Sequence, residues 1–317
     1  MRIIFMGTPN FAVPSLNILA QSSHEVVAVV TAPDRPAGRG RRLKASAVKE
    51  AAQKLAIPVL QPEKLRGPDF NARLQSLKPD LMVVVAFRML PQMVWSLPRL
   101  GTFNLHASLL PDYRGAAPIN WALINGEERT GATTFLIDAK IDTGNILLQR
   151  ELKVPNTWNA GDLHDALMVM GAELVLETTE GLDQGTLKPK PQDDTLFRHP
   201  APKIFKEDCE IDWHKPAKEL YDLIRGLSPY PGARTTFNGE ALKVYGSEPL
   251  DHDQTAPPGT LMVDRTAKTL AVACGTGWLQ LTTLQMAGKK RMSVTDLLTG
   301  YKGDWPDSLG PIEEKST

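Results

Sequence analysis

Residues 81–86 read Leu-Met-Val-Val-Val-Ala, six positions without a polar side chain on either face. A strand with one wet face alternates apolar and polar residues. A run that is apolar throughout belongs at the centre of a sheet covered on both sides, and such sheets are parallel. The surrounding chain fits this demand. Residues 2–6, 26–30, 58–60 and 102–105 read as further strands, and helix-length stretches lie between them at 10–21 (Pro14 in its first turn), 45–56, 69–77 and 91–97. The alternation predicts an α/β fold with a doubly wound, mostly parallel sheet.

The second half has a different texture. Runs at 132–137 and 145–152 flank a glycine-containing turn, and 162–180 reads as a long helix closing the first domain. Residues 185–206 are rich in proline and poor in apolar side chains, which predicts a linker. Beyond a helix at 217–227, short β-like runs at 241–245, 259–263, 269–273 and 277–282 predict a small OB-like β-barrel. The expected organisation is therefore a catalytic domain over 1–184, a linker over 185–206 and a C-terminal domain over 207–317. The uncharged run 269–288 approaches the length of a membrane span, but its alternation and its glycines at 275 and 277 read as a hairpin.

A chain of 317 residues suits two domains. Its 36 basic residues balance 36 acidic ones, so global charge selects no partner, and nucleic-acid binding has to rest on a local patch. Two cysteines, Cys209 and Cys274, without CxxC or HExxH spacing, argue against a disulfide framework and a metal site. The N-terminus enters strand-like sequence at once, without the layout of a signal peptide, and a cytoplasmic monomer is expected.

Four segments are candidates for carrying chemistry. Gly7 follows the first strand, but the turn lacks the GxGxxG spacing of dinucleotide folds, so a tight strand-to-helix turn is the plain reading. Asn104 and His106 stand two apart near a strand's carboxyl end, where an amide and an imidazole share a face toward the crevice of an open parallel sheet. Asp138, Asp142 and Gly144 form a loop after the next strand, which is either an ordinary turn or the acid that completes the Asn and His. No serine or cysteine lies in a nucleophile elbow, so attack by a substrate amine is the more economical acyl-transfer chemistry. Residues 31–49 hold Arg35, Arg39, Arg41, Arg42, Lys44 and Lys49 against a single acid, Asp34, which reads either as a solvated loop or as a grip for phosphates. Residues 205–317, by contrast, carry 13 basic and 16 acidic residues, with Lys289, Lys290 and Arg291 their dense basic patch.

Asn104-x-His106, Ser108-Leu109-Leu110-Pro111 and Asp142-x-Gly144 together resemble the 10-formyltetrahydrofolate-dependent formyltransferase family. Within it, Gly7-Thr8-Pro9, the 33–40 loop and Arg114-Gly115-Ala116-Ala117-Pro118 resemble the branch that acts on charged tRNA. The resemblance implies 10-formyltetrahydrofolate as co-substrate, without a metal, and methionyl initiator tRNA as acceptor and partner. It implies Asn104, His106 and Asp142 as the catalytic trio, with the methionine α-amino group attacking the formyl carbon while the trio steadies the developing oxyanion and moves a proton. It places Ser108, Leu109, Leu110, Pro111 and Asp138 in folate contact, together with Phe87, Arg88 and Met89, whose turn is one residue shorter than in relatives acting on tRNA. Arg35, Arg39, Arg41, Arg42 and Lys44 are implied as tRNA contacts. A relative transferring to an amino sugar or another small amine would share the trio and lack the basic loop.

Overall fold

A computed structural model of the chain describes residues 1–37, 42–252 and 255–310. It divides into two compact units: residues 1–118, 129–153 and 164–201 form the first, and residues 119–128 and 154–163 join the chain from Pro202 onward in the second.

Through the first half the order is β1 (Arg2–Gly7), α1 (Val13–Ala20), β2 (Glu25–Val30), β3 (Arg35–Ala37), β4 (Arg42–Lys44), α2 (Ala47–Lys54), β5 (Val59–Leu60), α3 (Pro68–Ser76), β6 (Leu81–Val85), α4 (Gln92–Trp95) and β7 (Thr102–His106). Then come α5 (Pro118–Ile124), β8 (Arg129–Leu136), β9 (Ile146–Lys153) and α6 (Ala160–Asp183). Seven strands make one sheet in the order β5-β2-β1-β6-β7-β8-β9. Its first five strands are parallel, and β8 and β9 are antiparallel additions. The chain fills the sheet outward from β1 in one direction and from β6 in the other, so the topological switch falls between them. As the unbroken apolar run requires, all of β6 is buried, and Met82 and Val84 pack with Ile4, Met6 and Leu74 on one face. Each such side chain contributes roughly 1.5–3 kcal/mol through removal from water. Gly7 pairs with Val85 in register, and a Cβ on it would stand 2.8 Å from the Ala12 Cβ and 3.0 Å from the Val85 carbonyl oxygen. It is a close-packing glycine in a tight turn.

Two expectations for this half need correction. The basic 31–49 segment is not wholly irregular: β3 and β4 pair antiparallel, with Arg35 opposite Lys44, and Arg39 and Arg41 lie outside the described residues. The side chain of Lys49, counted among its cations, is bound to Asp34 at 2.5 Å, and Gln61 donates to the same carboxylate at 2.8 Å. The 185–206 stretch is not a free linker either. Residues up to 201 belong to the first unit: Ile146 and Lys190 pair backbone to backbone, Tyr113 N donates to His199 O at 2.7 Å, and Ala201 N donates to Arg114 O at 2.8 Å. Proline suppressed regular secondary structure there without preventing packing.

In the second unit α7 (Ala217–Gly226) precedes β10 (Ala233–Phe237), β11 (Glu240–Leu250), β12 (Leu261–Asp264), β13 (Thr269–Ala273), β14 (Trp278–Met286), β15 (Met292–Ser293) and α8 (Val294–Gly300). The sheet is antiparallel, in the order β10-β11-β14-β13-β12 with β15 on β14, and β13 and β14 are the hairpin expected at 269–288. Its core joins Trp213, Leu220 and Ile224 to Val244, Leu279 and Leu281. The chain around 307–310 reaches both end strands: Thr236 N donates to Gly310 O at 3.1 Å and Leu261 N to Asp307 O at 2.9 Å. The two inserted segments are tied in by Asn120 Nδ2 donating to Gly226 O at 2.8 Å, Trp121 Nε1 to Pro202 O at 2.8 Å and Tyr221 OH to Asn156 O at 2.6 Å. Among the described residues no helix is long and apolar enough to cross a membrane.

Candidate active site

The parallel strands end in register. Gly7 faces Val85 and Val85 faces Leu105, which lines up the carboxyl edges of β1, β6 and β7. Asn104 and His106 close β7 at that edge, and Asn104 pairs across β8 with Phe135 while His106 pairs with Thr133. His106 is buried, with Nε2 2.8 Å from the carbonyl oxygen of Tyr113. A carbonyl only accepts, so Nε2 carries the proton, and Nδ1 is the nitrogen that faces Asp142 Oδ2 at 3.8 Å. Asn104 is half-buried, and its side-chain amide has no hydrogen-bond partner among the described residues, which leaves two donors for a bound group.

Asp142 reaches His106 from a turn with a demanding backbone. Its own φ is 56°, a left-handed conformation that aspartate tolerates better than most residues. Its Oδ2 accepts from Gly115 N at 2.9 Å. The glycine two positions on is a steric necessity, since a Cβ on Gly144 would fall 1.6 Å from the Leu136 carbonyl oxygen. Leu136 N also donates to Asn145 O at 2.9 Å, so the end of β8 and the return of the loop are pinched together there. The Asp-x-Gly pattern is thus one local solution: acid in the left-handed position, then a residue without a side chain where backbone meets backbone.

The segment after His106 is braced from beneath. Thr133 Oγ1 donates to Ser108 O at 2.7 Å and accepts from Leu110 N at 3.1 Å and Gln149 Nε2 at 3.0 Å. Asp112 is buried and accepts from Arg198 N at 2.6 Å and His199 N at 3.0 Å. These bonds fix the carbonyl of Tyr113 that orients His106.

The structure brings His106 and Asp142 within 3.8 Å of each other, and Asn104 lies two residues before His106 on β7. It distributes the expected folate residues unevenly. Ser108 is wholly buried and donates to Asp112 O at 2.7 Å, so its hydroxyl serves the loop's own fold. Leu110 and Pro111 are buried, and Leu109 is half-buried against Gly131. Arg88 is turned away, donating to the carbonyl oxygens of Pro62 and Glu63, and Phe87 packs on the core beside β6. Met89 is 71% exposed. Asp138 is exposed and organises its own turn, accepting from Lys140 N and from the Thr143 hydroxyl at 3.0 Å each. What this strand end offers a flat heterocycle is backbone: the main-chain groups of Phe87, Arg88 and Met89 make no backbone hydrogen bonds among the described residues. That donor set fits a pterin read by its edge. Arg35 and Lys44 are exposed on the β3–β4 ribbon that carries Arg42, with Leu43 71% exposed between them. Among the described residues no group of His, Cys, Asp and Glu side chains could hold a metal ion.

Sequence reasoning missed Arg114 and Gln192 as parts of this site. Gln192 Nε2 donates to both Asp142 O and Gly144 O at 2.9 Å, and Arg114 donates to Gln192 Oε1. Arg114 stood in a recognisable motif without an evident task. Gln192 stood in a proline-rich stretch with no periodicity to announce that it packs.

The formyl transferase pattern matches residues 1–179, and the pattern of the formyl transferase C-terminal domain matches residues 203–302. Methionyl-tRNA formyltransferase of Parabacteroides distasonis is 51% identical over 95% of this chain and 96% of its own length. Its namesake from Flavobacterium psychrophilum is 50% identical with the same coverage. Among solved structures, methionyl-tRNA formyltransferase from Clostridium thermocellum shares the fold at a TM-score of 0.55 and 15% identity, over 80% of this chain and 95% of that one.

Proposed function

Because the chain belongs to the formyl transferase family, we propose that it transfers the formyl group of 10-formyltetrahydrofolate to the α-amino group of methionine on initiator tRNA. The observation that carries the reading is a buried, oriented His106 facing Asp142, with Asn104 two residues before it on the same strand, in a chain about half identical to relatives of that name over nearly its whole length.

The co-substrate supplies an N-formyl group on a flat ring system. Phe87, Arg88 and Met89 would meet that ring through their main chain, while Leu109, Leu110 and Pro111 wall the site. Asn104 donates its amide protons to the oxygen on which negative charge develops as the amine attacks. Such positioned donors are worth about 10²–10³ in rate. Asp142, held by Gly115 N, faces Nδ1 of His106 and stabilises that ring as it passes the attacking amine's proton to the folate nitrogen, whose bond to the formyl carbon breaks when the tetrahedral intermediate collapses. His106 cannot drift, because Nε2 is bound to the Tyr113 carbonyl. The reading places the protein in the cytoplasm, where charged tRNA is made and used, and has it act as a monomer.

The test is formyl transfer from 10-formyltetrahydrofolate to methionyl initiator tRNA, against free methionine and amino sugars as acceptors. Efficient transfer to the charged tRNA alone is the expected result. Preference for an amino sugar would overturn the acceptor while leaving the donor in place.

A further inference from the structure

We propose that Gln192 is a positioning residue for the transfer, holding Asp142 in its working geometry, with Arg114 locking Gln192 in turn. The proposal rests on the reading of Asp142 given above. The Gln192 amide is used to capacity. Its two N–H groups go to the carbonyl oxygens of Asp142 and Gly144, both at 2.9 Å, and its Oε1 accepts from Arg114 Nε at 3.1 Å and Nη2 at 2.6 Å. Carbonyls only accept and guanidinium only donates, so the orientation of the amide is fixed by its neighbours.

Arg114 is itself immobilised. Its Nη2 pairs with Asp194 Oδ1 at 2.7 Å, and its guanidinium lies over the Phe197 ring at 5.6 Å. Arg114 also directly precedes Gly115, the residue whose N–H binds the Asp142 carboxylate. One side chain thus fixes the main chain of the acid, and its lock adjoins the donor that fixes the acid's oxygen.

This matters because, of the bonds that hold this turn, those from Gln192 fix the main chain on both sides of Thr143. Residues 138–141 are exposed, Ile141 to 60%, and Asp142 keeps a left-handed φ of 56°. Without Gln192, the main chain of the turn loses two of its anchors, and the 3.8 Å approach of Oδ2 to His106 rests on Gly115 N. Displacement of a reacting group by about 1 Å costs on the order of 10²-fold in rate. Among the described residues Gln192 makes no hydrogen bond to His106 or Asn104, so it acts through Asp142.

The experiment compares Gln192→Ala and Gln192→Glu in the full chain, each alone and combined with Asp142→Asn, using 10-formyltetrahydrofolate and methionyl initiator tRNA. Gln192→Glu keeps an acceptor for Arg114 while replacing the donors to the turn by an anionic oxygen facing the two carbonyls, so it tests positioning even if the alanine variant folds poorly. Each single variant is expected to lower kcat by roughly 10- to 100-fold, with KM for the folate within about threefold. On top of Asp142→Asn, either Gln192 substitution is expected to cost less than about threefold further, because the group it positions has already been disabled. A Gln192→Glu enzyme with wild-type kcat, or effects that multiply fully with Asp142→Asn, overturns the proposal. If Asp142→Asn alone runs at the wild-type rate, the reading of Asp142 fails first and this proposal falls with it.

Discussion

At the scale of single residues, the site depends on backbone contacts that leave no room for substitution. Gly144→Ala would drive a methyl group into the Leu136 carbonyl, at 1.6 Å before relaxation, so β8 and the loop must separate. Overpacking of this kind costs about 1–3 kcal/mol or more. Thermal unfolding should show the destabilisation together with a fall in kcat, since Asp142 moves with the turn. Asp142→Asn, by contrast, keeps a residue at home in left-handed backbone, so Tm should hold while turnover drops by roughly 10² or more. His106→Ala should show a similar fall and also cost about 1 kcal/mol, because the hydrogen bond from His106 to the Tyr113 carbonyl is lost. Single-turnover rates beside melting curves separate the three cases. The two cysteines are inert for a different reason: burial pushes the Cys274 thiol up to about 12 and raises that of Cys209. A thiol raised on folding makes no pH-dependent difference below its unfolded value, and stability then falls as pH climbs from that value to the folded one. Neither cysteine should react with a thiol reagent at pH 8 until the chain is unfolded, and rapid labelling of the native protein would contradict their burial.

Among the elements, what could be read from sequence follows from what the pattern records. The apolar run of β6 and the alternation around it gave the parallel sheet, because burial on two faces leaves a mark at every position. The pairing of Asn104 with His106 was legible for the same kind of reason, a period of two at a strand end. The structural role of 185–201 was not, since those residues pack through single hydrogen bonds and carry no periodicity. The β3–β4 ribbon was hidden under its charge, which reads as solvated loop whether or not the backbone pairs. The ribbon presents Arg35 and Lys44 outward and also carries Arg42, while Lys49 is held back by Asp34. Replacing Arg35, Arg42 and Lys44 by Gln should weaken tRNA engagement and lower the slope of log affinity against log salt by about one for each phosphate left without its cation. Folate affinity should stay as it is. An unchanged salt slope would return the ribbon to the role of a solvated edge.

For the whole molecule, the chain order and the spatial order disagree. The second unit takes residues 119–128 and 154–163 from the middle of the first half, and it binds them through Gly226, Pro202 and Tyr221. A chain starting at 202 lacks the partners of those groups, and it should melt well below the intact protein in calorimetry. A chain ending at 184 lacks Gln192 and the partners of Asp112 as well, so it should lose turnover on any acceptor.

This interleaving also governs how such a chain can be recombined with a relative. A single crossover near residue 200 would join one parent's 119–128 and 154–163 to the other parent's 202 onward, and every contact between them would become a hybrid. Exchange that respects the units needs the two inserts to travel with the C-terminal part, three pieces moved as one. A C-terminal half grafted alone therefore arrives without the two segments it was packed around.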